Sequence, residues 1–267
     1  MIIYKTDEEI RTMKRANRIV ARILAELAPM VAPGVTTKDL DAFAEKRTRE
    51  MGAVPAFKGY RGYPASLCAS VNEEIVHGIP SGRTLKAGDI ISLDYGVLFE
   101  GFYGDSTVTV PVGEIAPEAA RLIETARASF FEGVAMMKEG GRVSDISAAV
   151  QKRVEADGFA VVRSFVGHGI GRGLHEEPQV PNFGLPGHGP RIRRGMVLAI
   201  EPMIAAGDWE VEILDNGWTA VTKDRSLAAH YEHTVACTAD GIDILSAWEG
   251  EPSAGTGRAW DKESLNA

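Results

Sequence analysis

The chain has 267 residues, of which 45% are hydrophobic and 25% are charged, and its formal net charge is −8. These proportions are typical of a soluble globular protein, and a negative charge without a run of lysines or arginines argues against a nucleic-acid or membrane partner. No stretch approaches the length of an apolar spanning helix, and the first ten residues turn acidic too early for a signal peptide. Two cysteines, Cys68 and Cys237, are too few for a disulfide framework, so we expect a cytoplasmic protein.

Two helices are predicted at the start of the chain. Thr6 and Glu9 have the spacing of a capping box, and apolar residues then recur at helical intervals up to Pro29. After a break at Pro33-Gly34, a second helix is predicted over residues 37–51. Its inner face is expected to carry Leu40, Phe43, Ala44 and Arg47.

The rest of the chain alternates between strands and one further pair of helices. Short β-prone runs separated by turn residues predict strands over 66–71, 74–79, 89–98 and 102–110. A long helix is predicted from Pro117 to the Gly140-Gly141 pair, and a shorter one over 144–157. Strands are then predicted over 159–162, 196–206, 210–214, 219–221 and 230–238.

The second pair of helices resembles the first. A shift of 106 residues superposes Gly34 on Gly140 and Asp39 on Asp145, among six identical or similar pairs; a chance match remains the alternative, because helices share composition. We interpret the pattern as two halves, about 6–112 and 113–240, of a single domain over 1–248. Two helix-helix-strand halves predict helices packed on a curved, mainly antiparallel sheet, an α+β fold. Residues 249–267 have little to bury, and we expect them to be disordered.

Two aspartates lie eleven residues apart on strands joined by a tight turn. If the turn has two residues, Asp94 is either directly opposite Asp105 or one diagonal step away on the same face. The flanking residues are apolar, so the two carboxylates are expected to be buried and aimed at one point. A buried acidic pair requires cations.

Further polar residues fall in other predicted strands. Glu201 stands alone in an apolar run before Pro202, and Glu232 has apolar neighbours. A glycine-rich run over 166–178 carries His168 and His175, and its composition predicts a loop. Carboxylates with one imidazole suit two divalent ions such as Mn, Fe, Co or Zn, and this combination predicts a hydrolytic dinuclear site.

The complete set resembles methionine aminopeptidases of type I, over residues 3–247 or thereabouts. The resemblance rests on Asp94, Asp105, His168, Glu201 and Glu232, together with the run Val71–Pro80 that contains His77. It implies the pita-bread fold, two pseudo-symmetric αβ halves around a dinuclear metal centre. It also implies removal of the N-terminal methionine from peptides and nascent polypeptides, preferably before a small residue, by a monomeric enzyme.

The same resemblance implies a role for each residue of the metal centre. Asp94 would hold one metal, His168 and Glu201 the other, and Asp105 and Glu232 would bridge both. Glu201 would also accept the proton of the attacking water.

The resemblance implies substrate contacts as well. His175 would hydrogen-bond the scissile carbonyl, and His77 would contact the peptide nitrogen beyond it. The methionine side chain would lie in a pocket built from aromatic residues, one cysteine and one leucine, a combination that suits a thioether. These residues are Phe57, Tyr60, Tyr63, Cys68, Leu174 and Trp218. Without the resemblance, Tyr60 and Tyr63 are also compatible with a generic aromatic loop, and relatives often have an aromatic residue in place of Leu174.

Three remaining histidines have other expected positions. His188 lies in a predicted surface loop, and His233 should point away from Glu232 because strand residues alternate. By the same rule His230 shares the face of Glu232, but five ligands already complete the pattern. The rival functions are a prolidase or aminopeptidase P, which carry an added N-terminal domain, and a metal-free binding module, which lacks the ligands.

Overall fold

The computed structural model describes residues 1–248 of the chain. The predicted tail at 249–267 lies outside the described residues. The four α-helices are α1 (Asp7–Leu27), α2 (Thr37–Glu50), α3 (Pro117–Met136) and α4 (Val143–Ala156). In residues 1–248 no helix has the length and hydrophobicity that a membrane crossing requires.

Fifteen strands make up the β-structure of residues 1–248. In the first half they are β1 (Val54–Pro55), β2 (Leu67–Val71), β3 (Glu74–Val76), β4 (Ile90–Phe99) and β5 (Phe102–Pro111). In the second half they are β6 (Ala160–Val161), β7 (Gly167–Gly169), β8 (Glu176–Val180), β9 (Val197–Ile200), β10 (Met203–Ala205), β11 (Val211–Ile213), β12 (Ala220–Thr222), β13 (Ala228–His230), β14 (Glu232–Thr238) and β15 (Gly241–Ile244).

The strands form one large and two small sheets. The nine-stranded sheet has the order β1-β4-β5-β14-β9-β7-β8, with β2 paired to β4 and β15 paired to β14. Two three-stranded sheets, β13-β10-β6 and β11-β12-β3, complete the described β-structure. The strand pairs described for residues 1–248 are antiparallel, which confirms the predicted mainly antiparallel α+β fold.

The helices begin where the sequence supplies caps. The Thr6 side chain accepts a hydrogen bond from the Glu9 amide, and the Glu9 carboxylate accepts one from the Thr6 amide, so two free donors of the first turn are satisfied. Thr36 and Asp39 form the same box at α2. Helices α2 and α4 have equal lengths of 14 residues, and their bounds differ by the same 106 residues as the sequence pattern.

Both long helices pack on the centre of the large sheet. Helices α1 and α3 each contact β5 and β14, and apolar residues of all four helices and of the sheet form one core cluster. On α2 the predicted inner face is wrong in one position. Arg47 is only partly buried and pairs with Glu26 at 2.6 Å, whereas the fully buried Thr48 faces the core and bonds the Tyr95 hydroxyl.

Two strands predicted as continuous are broken. The run 196–206 separates at Glu201-Pro202 into β9 of the large sheet and β10 of a small one. The run 230–238 separates at Tyr231 into β13 and β14 in the same two sheets. Apolar residues flank Glu201-Pro202 on both sides, and the residues on both sides of Tyr231 are buried, so hydrophobicity alone gives no sign of where the chain changes sheet.

Candidate metal centre and substrate cavity

The hairpin of β4 and β5 sets the position of two carboxylates. Glu100-Gly101 is a two-residue turn, and the register pairs Asp94 with Thr107 and Asp105 with Gly96. The two aspartates therefore lie one diagonal step apart on the same face, which was one of the two predicted registers. Asp105 is 4% exposed, whereas Asp94 is partly buried beside the cavity.

Strand β14 adds a third carboxylate beside this hairpin. Glu232 pairs with Thr107 across β14 and β5, and its Oε2 accepts a hydrogen bond of 2.7 Å from the Thr107 hydroxyl. That bond fixes the direction of a side chain that is only 2% exposed.

The glycine-rich run is only partly the loop that the sequence suggested: residues 167–169 and 176–178 lie in strands β7 and β8, and residues 170–175 form the loop between them. His168 lies on β7, between β9 and β8, and the register shifts by a bulge after His168. Glycines are required here because a Cβ at Gly167 would overlap the Ala199 carbonyl oxygen and one at Gly169 the Glu177 carbonyl oxygen. The absence of side chains thus permits close strand packing. The glycines of β7 therefore lie in a strand, although a glycine-rich composition is typical of loops.

The break after β9 places Glu201 opposite His168. The Nε2 atom of His168 lies 3.4 Å from Oε1 of Glu201, and Nδ1 lies 2.9 Å from the Gly169 carbonyl oxygen. Since a carbonyl only accepts, Nδ1 carries the ring proton and Nε2 presents its lone pair to the carboxylates. The Glu201 backbone is held by the Asn182 side chain, which donates to its carbonyl oxygen at 2.9 Å.

The residues of this cluster fit a divalent metal. Asp105, His168 and Glu232 offer ligand atoms that lie within 4.8 Å of one another, and all three residues are buried. Among residues 1–248, Oδ1 of Asp105 and Oε1 of Glu232 are buried without a hydrogen-bond donor. Buried acceptors without donors are costly, and a bound cation would satisfy them.

Burial and mutual repulsion raise the pKa of the carboxyl groups. Burial raises the pKa of Asp94 to about 7, although hydrogen bonds from Thr107 and Cys68 oppose this shift. The pKa of Asp105 is raised by burial and by the charges of Glu232, Asp94 and Glu201, and the pKa values of Glu201 and Glu232 are raised in the same way. Without a cation the protein therefore holds protons at this site.

The imidazoles around the cluster are neutral near pH 7. Burial lowers the pKa of His168 to about 4, and partial desolvation of the exposed residue His175, together with its neighbours His168, Arg61 and His77, lowers the pKa of His175 to about 3. A neutral imidazole can bind a metal or donate one hydrogen bond.

His175 lies over the cluster, between two rings. Its ring is stacked on Tyr60, with centroids 5.4 Å apart, and its centroid lies 4.3 Å from that of His168. The Tyr60 hydroxyl lies 2.9 Å from Nδ1 of His175. With this hydroxyl as donor, the proton of the neutral imidazole is on Nε2, which faces away from Tyr60.

A cavity of about 300 Å³ brings the predicted site residues together. Its walls include the five expected metal ligands Asp94, Asp105, His168, Glu201 and Glu232. They also include the expected substrate contacts Phe57, Tyr60, Tyr63, Cys68, His77, Leu174, His175 and Trp218. The structure thus places every predicted site residue around one space, while their individual roles stay predictions.

The apolar wall of this cavity is rigidly held. The Tyr63 hydroxyl donates to the carbonyl oxygens of Leu67 and Gly78, at 3.1 and 2.9 Å, and the Tyr63 ring meets Trp218 edge to face. Cys68 pairs with Asp94 across β2 and β4, so the thiol lies at the junction of the apolar wall and the acidic cluster.

His77 occupies a constrained position beside this wall. Its φ of 60° lies in the left-handed region, which non-glycine residues rarely adopt. The ring meets Phe165 and Trp218 edge to face, and burial lowers its pKa. An unfavourable backbone angle kept at a cavity wall is consistent with a functional residue.

Several lining residues were not predicted from the sequence. These are Arg61, Val76, Ser164, Phe165, Val166, Met203 and His230. Two of them could have been found from their neighbours in the sequence. Phe165 directly precedes the glycine-rich run, and Met203 lies two residues after Glu201. His230 is not among the five expected ligands, yet its Nε2 lies 3.8 Å from Oε2 of Glu201. It belongs to a different sheet from Glu232. His233 points away from Glu232 to Ser246 and Ser106, as expected, and His188 is exposed.

Comparison with known proteins agrees with this geometry. Residues 11–239 match the model of metallopeptidase family M24. A methionine aminopeptidase of Clostridium acetobutylicum is 52% identical over 250 residues, which cover 93% of this chain and 100% of that protein. The chain belongs to family M24 and, within it, to the methionine aminopeptidases.

Solved structures of methionine aminopeptidases match this chain more fully than those of prolidases do. The methionine aminopeptidase of Thermotoga maritima superposes with a TM-score of 0.91 at 46% identity, covering 92% of this chain and 99% of that one. The prolidase of Pyrococcus furiosus gives a TM-score of 0.76 at 22% identity, and the match covers only 66% of that chain. The prolidase likeness shows the fold alone. The pita-bread fold expected of a methionine aminopeptidase is confirmed, and the protein is a metallo-aminopeptidase.

Proposed function

We propose that this protein removes the N-terminal methionine from peptides and nascent proteins in the cytoplasm, preferably when the second residue is small. One observation carries the proposal: a single cavity joins a buried cluster of carboxylates and imidazole to an aromatic wall that contains a cysteine. The cluster suits hydrolysis and the wall suits an unbranched thioether. We expect the enzyme to act as a monomer, without nucleic-acid or membrane partners.

The proposed cofactor is a pair of divalent ions, from Co, Mn, Fe or Zn. Asp94 would hold one ion, His168 and Glu201 the other, and Asp105 and Glu232 would bridge them. Oxygen donors with one neutral imidazole and no thiolate ligand are the set that such ions prefer. When bound, the ions would polarise the scissile carbonyl and lower the pKa of a water molecule.

The protein's own groups would hold the substrate and move the proton. Glu201, whose pKa is raised by burial and by the charges of Glu232 and Asp94, is suited to accept a proton from water. His175 would donate a hydrogen bond from Nε2 to the carbonyl oxygen as negative charge develops there. His77, which also lines the cavity, would hydrogen-bond the peptide nitrogen of the second residue.

The aromatic wall would select the methionine side chain. Tyr63 and Trp218 offer ring surface, and the Cys68 thiol is a polarisable neighbour for sulfur. The pKa of Cys68 is raised by burial and by Asp94, so the thiol stays uncharged and does not repel an apolar group. Phe57 and Leu174 would limit the width of the pocket.

Turnover of a peptide series tests this function. We expect Met-Ala-Ser and Met-Gly-Ser to release methionine, activity to disappear with a chelator and return with Co or Mn, and bulky second residues to be poor substrates. Elemental analysis of the same samples gives the number of ions per chain. Cleavage of Xaa-Pro dipeptides without release of methionine from Met-Ala-Ser would assign the chain to the prolidase reaction instead.

A further inference from the structure

A buried ion pair lies beneath the segment that carries His175. The Lys5 ammonium is 2.6 Å from Oε2 of Glu176, and the two side chains are only 3% and 8% exposed. By contrast, the Lys14–Asp243 pair has a similar separation of 2.7 Å but exposures of 36% and 34%. Desolvating two charges offsets much of their attraction, so a gain in stability is a weak explanation for the Lys5–Glu176 pair.

Both members of the pair are tied to the backbone on either side. Lys5 Nζ also donates to the Ile3 carbonyl oxygen at 2.9 Å, and the Lys5 amide donates to the Gly195 carbonyl oxygen at 2.7 Å. Oε1 of Glu176 accepts from the Gly173 amide at 2.9 Å. The pair therefore connects the N-terminal segment to the turn between β7 and β8.

The turn leaves room for this ion pair by using glycine. A Cβ at Gly171 would overlap the Lys5 side chain and would lie 2.8 Å from Oε1 of Glu176. The Gly171 carbonyl accepts from the Tyr103 amide at 2.8 Å, so the other end of the turn is anchored to β5. Between Gly171 and β8, the Glu176 carboxylate is what holds the Gly173 amide.

We propose that the Lys5–Glu176 ion pair positions His175 for the reaction. His175 directly precedes Glu176 and lies between Tyr60 and His168, so a shift of the turn would move its ring relative to the metal cluster. Lys5 and Glu176 are positioning residues that act through His175. This inference rests on the proposed function of His175 as the donor to the scissile carbonyl.

The first test removes the cation. Lys5→Met is unbranched and only one heavy atom shorter, and it is expected to lower kcat on Met-Ala-Ser about 10-fold to 100-fold, because small displacements of a catalytic group have effects of that order. KM and metal content are expected to stay within about threefold of wild type. The matched control Lys14→Met, in an exposed pair, is expected to leave kcat unchanged. An unchanged kcat in Lys5→Met would overturn the proposal.

A second comparison separates positioning from general damage to the fold. In a His175→Ala background, Lys5→Met is expected to change kcat by less than about twofold, because the group through which it acts is gone. Equal fold losses in both backgrounds would show that Lys5 acts elsewhere and would refute the assignment.

Two further measurements keep the proposal testable if a variant is unstable or the protein has another substrate. Lys5→Met/Glu176→Gln leaves no unpaired charge and retains an acceptor for the Gly173 amide; we expect it to fold and to keep the kcat loss, and full recovery would contradict a role for the charges.

In zinc-loaded protein, the ring resonances of His175, assigned with His175→Ala, should shift in Lys5→Met and not in Lys14→Met. Unshifted resonances would reject the positioning role, whereas absent methionine release in wild type would reject only the proposed function.

Discussion

Tyr60 and His175 are joined by a hydrogen bond and by ring stacking. The Tyr60 hydroxyl lies 2.9 Å from Nδ1 of His175, and the ring centroids are 5.4 Å apart. The lowered pKa of His175, caused by partial desolvation of its ring and by its neighbours His168, Arg61 and His77, favours the neutral imidazole near pH 7. A donor at Nδ1 then leaves the ring proton on Nε2. From there it would be donated in a hydrogen bond to the carbonyl oxygen of the proposed substrate.

Tyr60→Phe is expected to lower kcat roughly 2-fold to 10-fold, because a single neutral hydrogen bond is lost while the stacking remains. His175→Ala should cost roughly 100-fold to 1000-fold, as for other donors to a developing oxyanion. Both variants should retain their metal. Steady-state kinetics on Met-Ala-Ser with elemental analysis measures this, and equal losses in the two variants would mean that Tyr60 does more than orient the imidazole.

Glu232→Gln is expected to abolish turnover and weaken metal binding while the fold survives. In metal-free protein the same change should raise the free energy of unfolding by ~1–3 kcal/mol, because it removes one of several buried, repelling carboxylates. Melting curves with and without chelator report both effects. Retained activity, or a melting temperature that falls without metal, would speak against the metal assignment.

The stability of metal-free protein should depend on pH through Asp94. Its pKa is about 7 in the folded state, because of burial, against an ordinary value of 3.8. Between these two values the folded state binds more protons than the unfolded state, so this contribution to stability falls as pH rises, by at most about 1.4 kcal/mol per pH unit. Asp94→Asn should remove that part of the slope.

Urea unfolding of wild type and Asp94→Asn, from about pH 5 to about pH 8 with chelator, measures the difference. Metal binding requires ionised carboxylates, so metal affinity is expected to rise with pH over the same window. Parallel stability curves for the two proteins would show that Asp94 is not the titrating group.

Gly104→Ala is expected to destabilise the protein by ~1–3 kcal/mol, because overpacking forces the backbone to move. A Cβ at Gly104 would lie 2.9 Å from the Asn17 amide nitrogen of α1. Asn17 also accepts a hydrogen bond from the Asp105 amide, so the shift should reach the metal cluster and lower metal affinity. Gly82→Ala, which meets open space, is the control. Equal melting temperatures for both variants would contradict the close-packing argument.

Local signals in the sequence were sufficient for the helices and for one hairpin. The helix start at Asp7 follows from the capping box of Thr6 and Glu9, which acts within one turn. The diagonal pairing of Asp94 with Asp105 follows from a two-residue turn and the alternation of side chains. The site residues themselves were found by resemblance, since a lone carboxylate in a strand does not reveal its partners.

The sheet changes after Glu201 and at Tyr231 were not visible in the sequence. Apolar residues lie on both sides of Glu201-Pro202, and buried residues lie on both sides of Tyr231, because both sheets are covered. The hairpin around His168 was hidden for a different reason. Its glycines allow the backbone to approach the neighbouring strands β8 and β9 closely, whereas a glycine-rich sequence by itself indicates a loop.

The sequence by itself determined the cap of α1 and the tight turn between β4 and β5, because each depends on neighbours along the chain, and it offered the candidate metal ligands through the resemblance to a known family. Only the tertiary structure decided that Glu201 faces His168, that Tyr60 lies on His175 and that Lys5 reaches Glu176, 171 residues away. These contacts depend on which sheet each strand joins. That choice is made by packing among distant segments, and local propensity does not contain it.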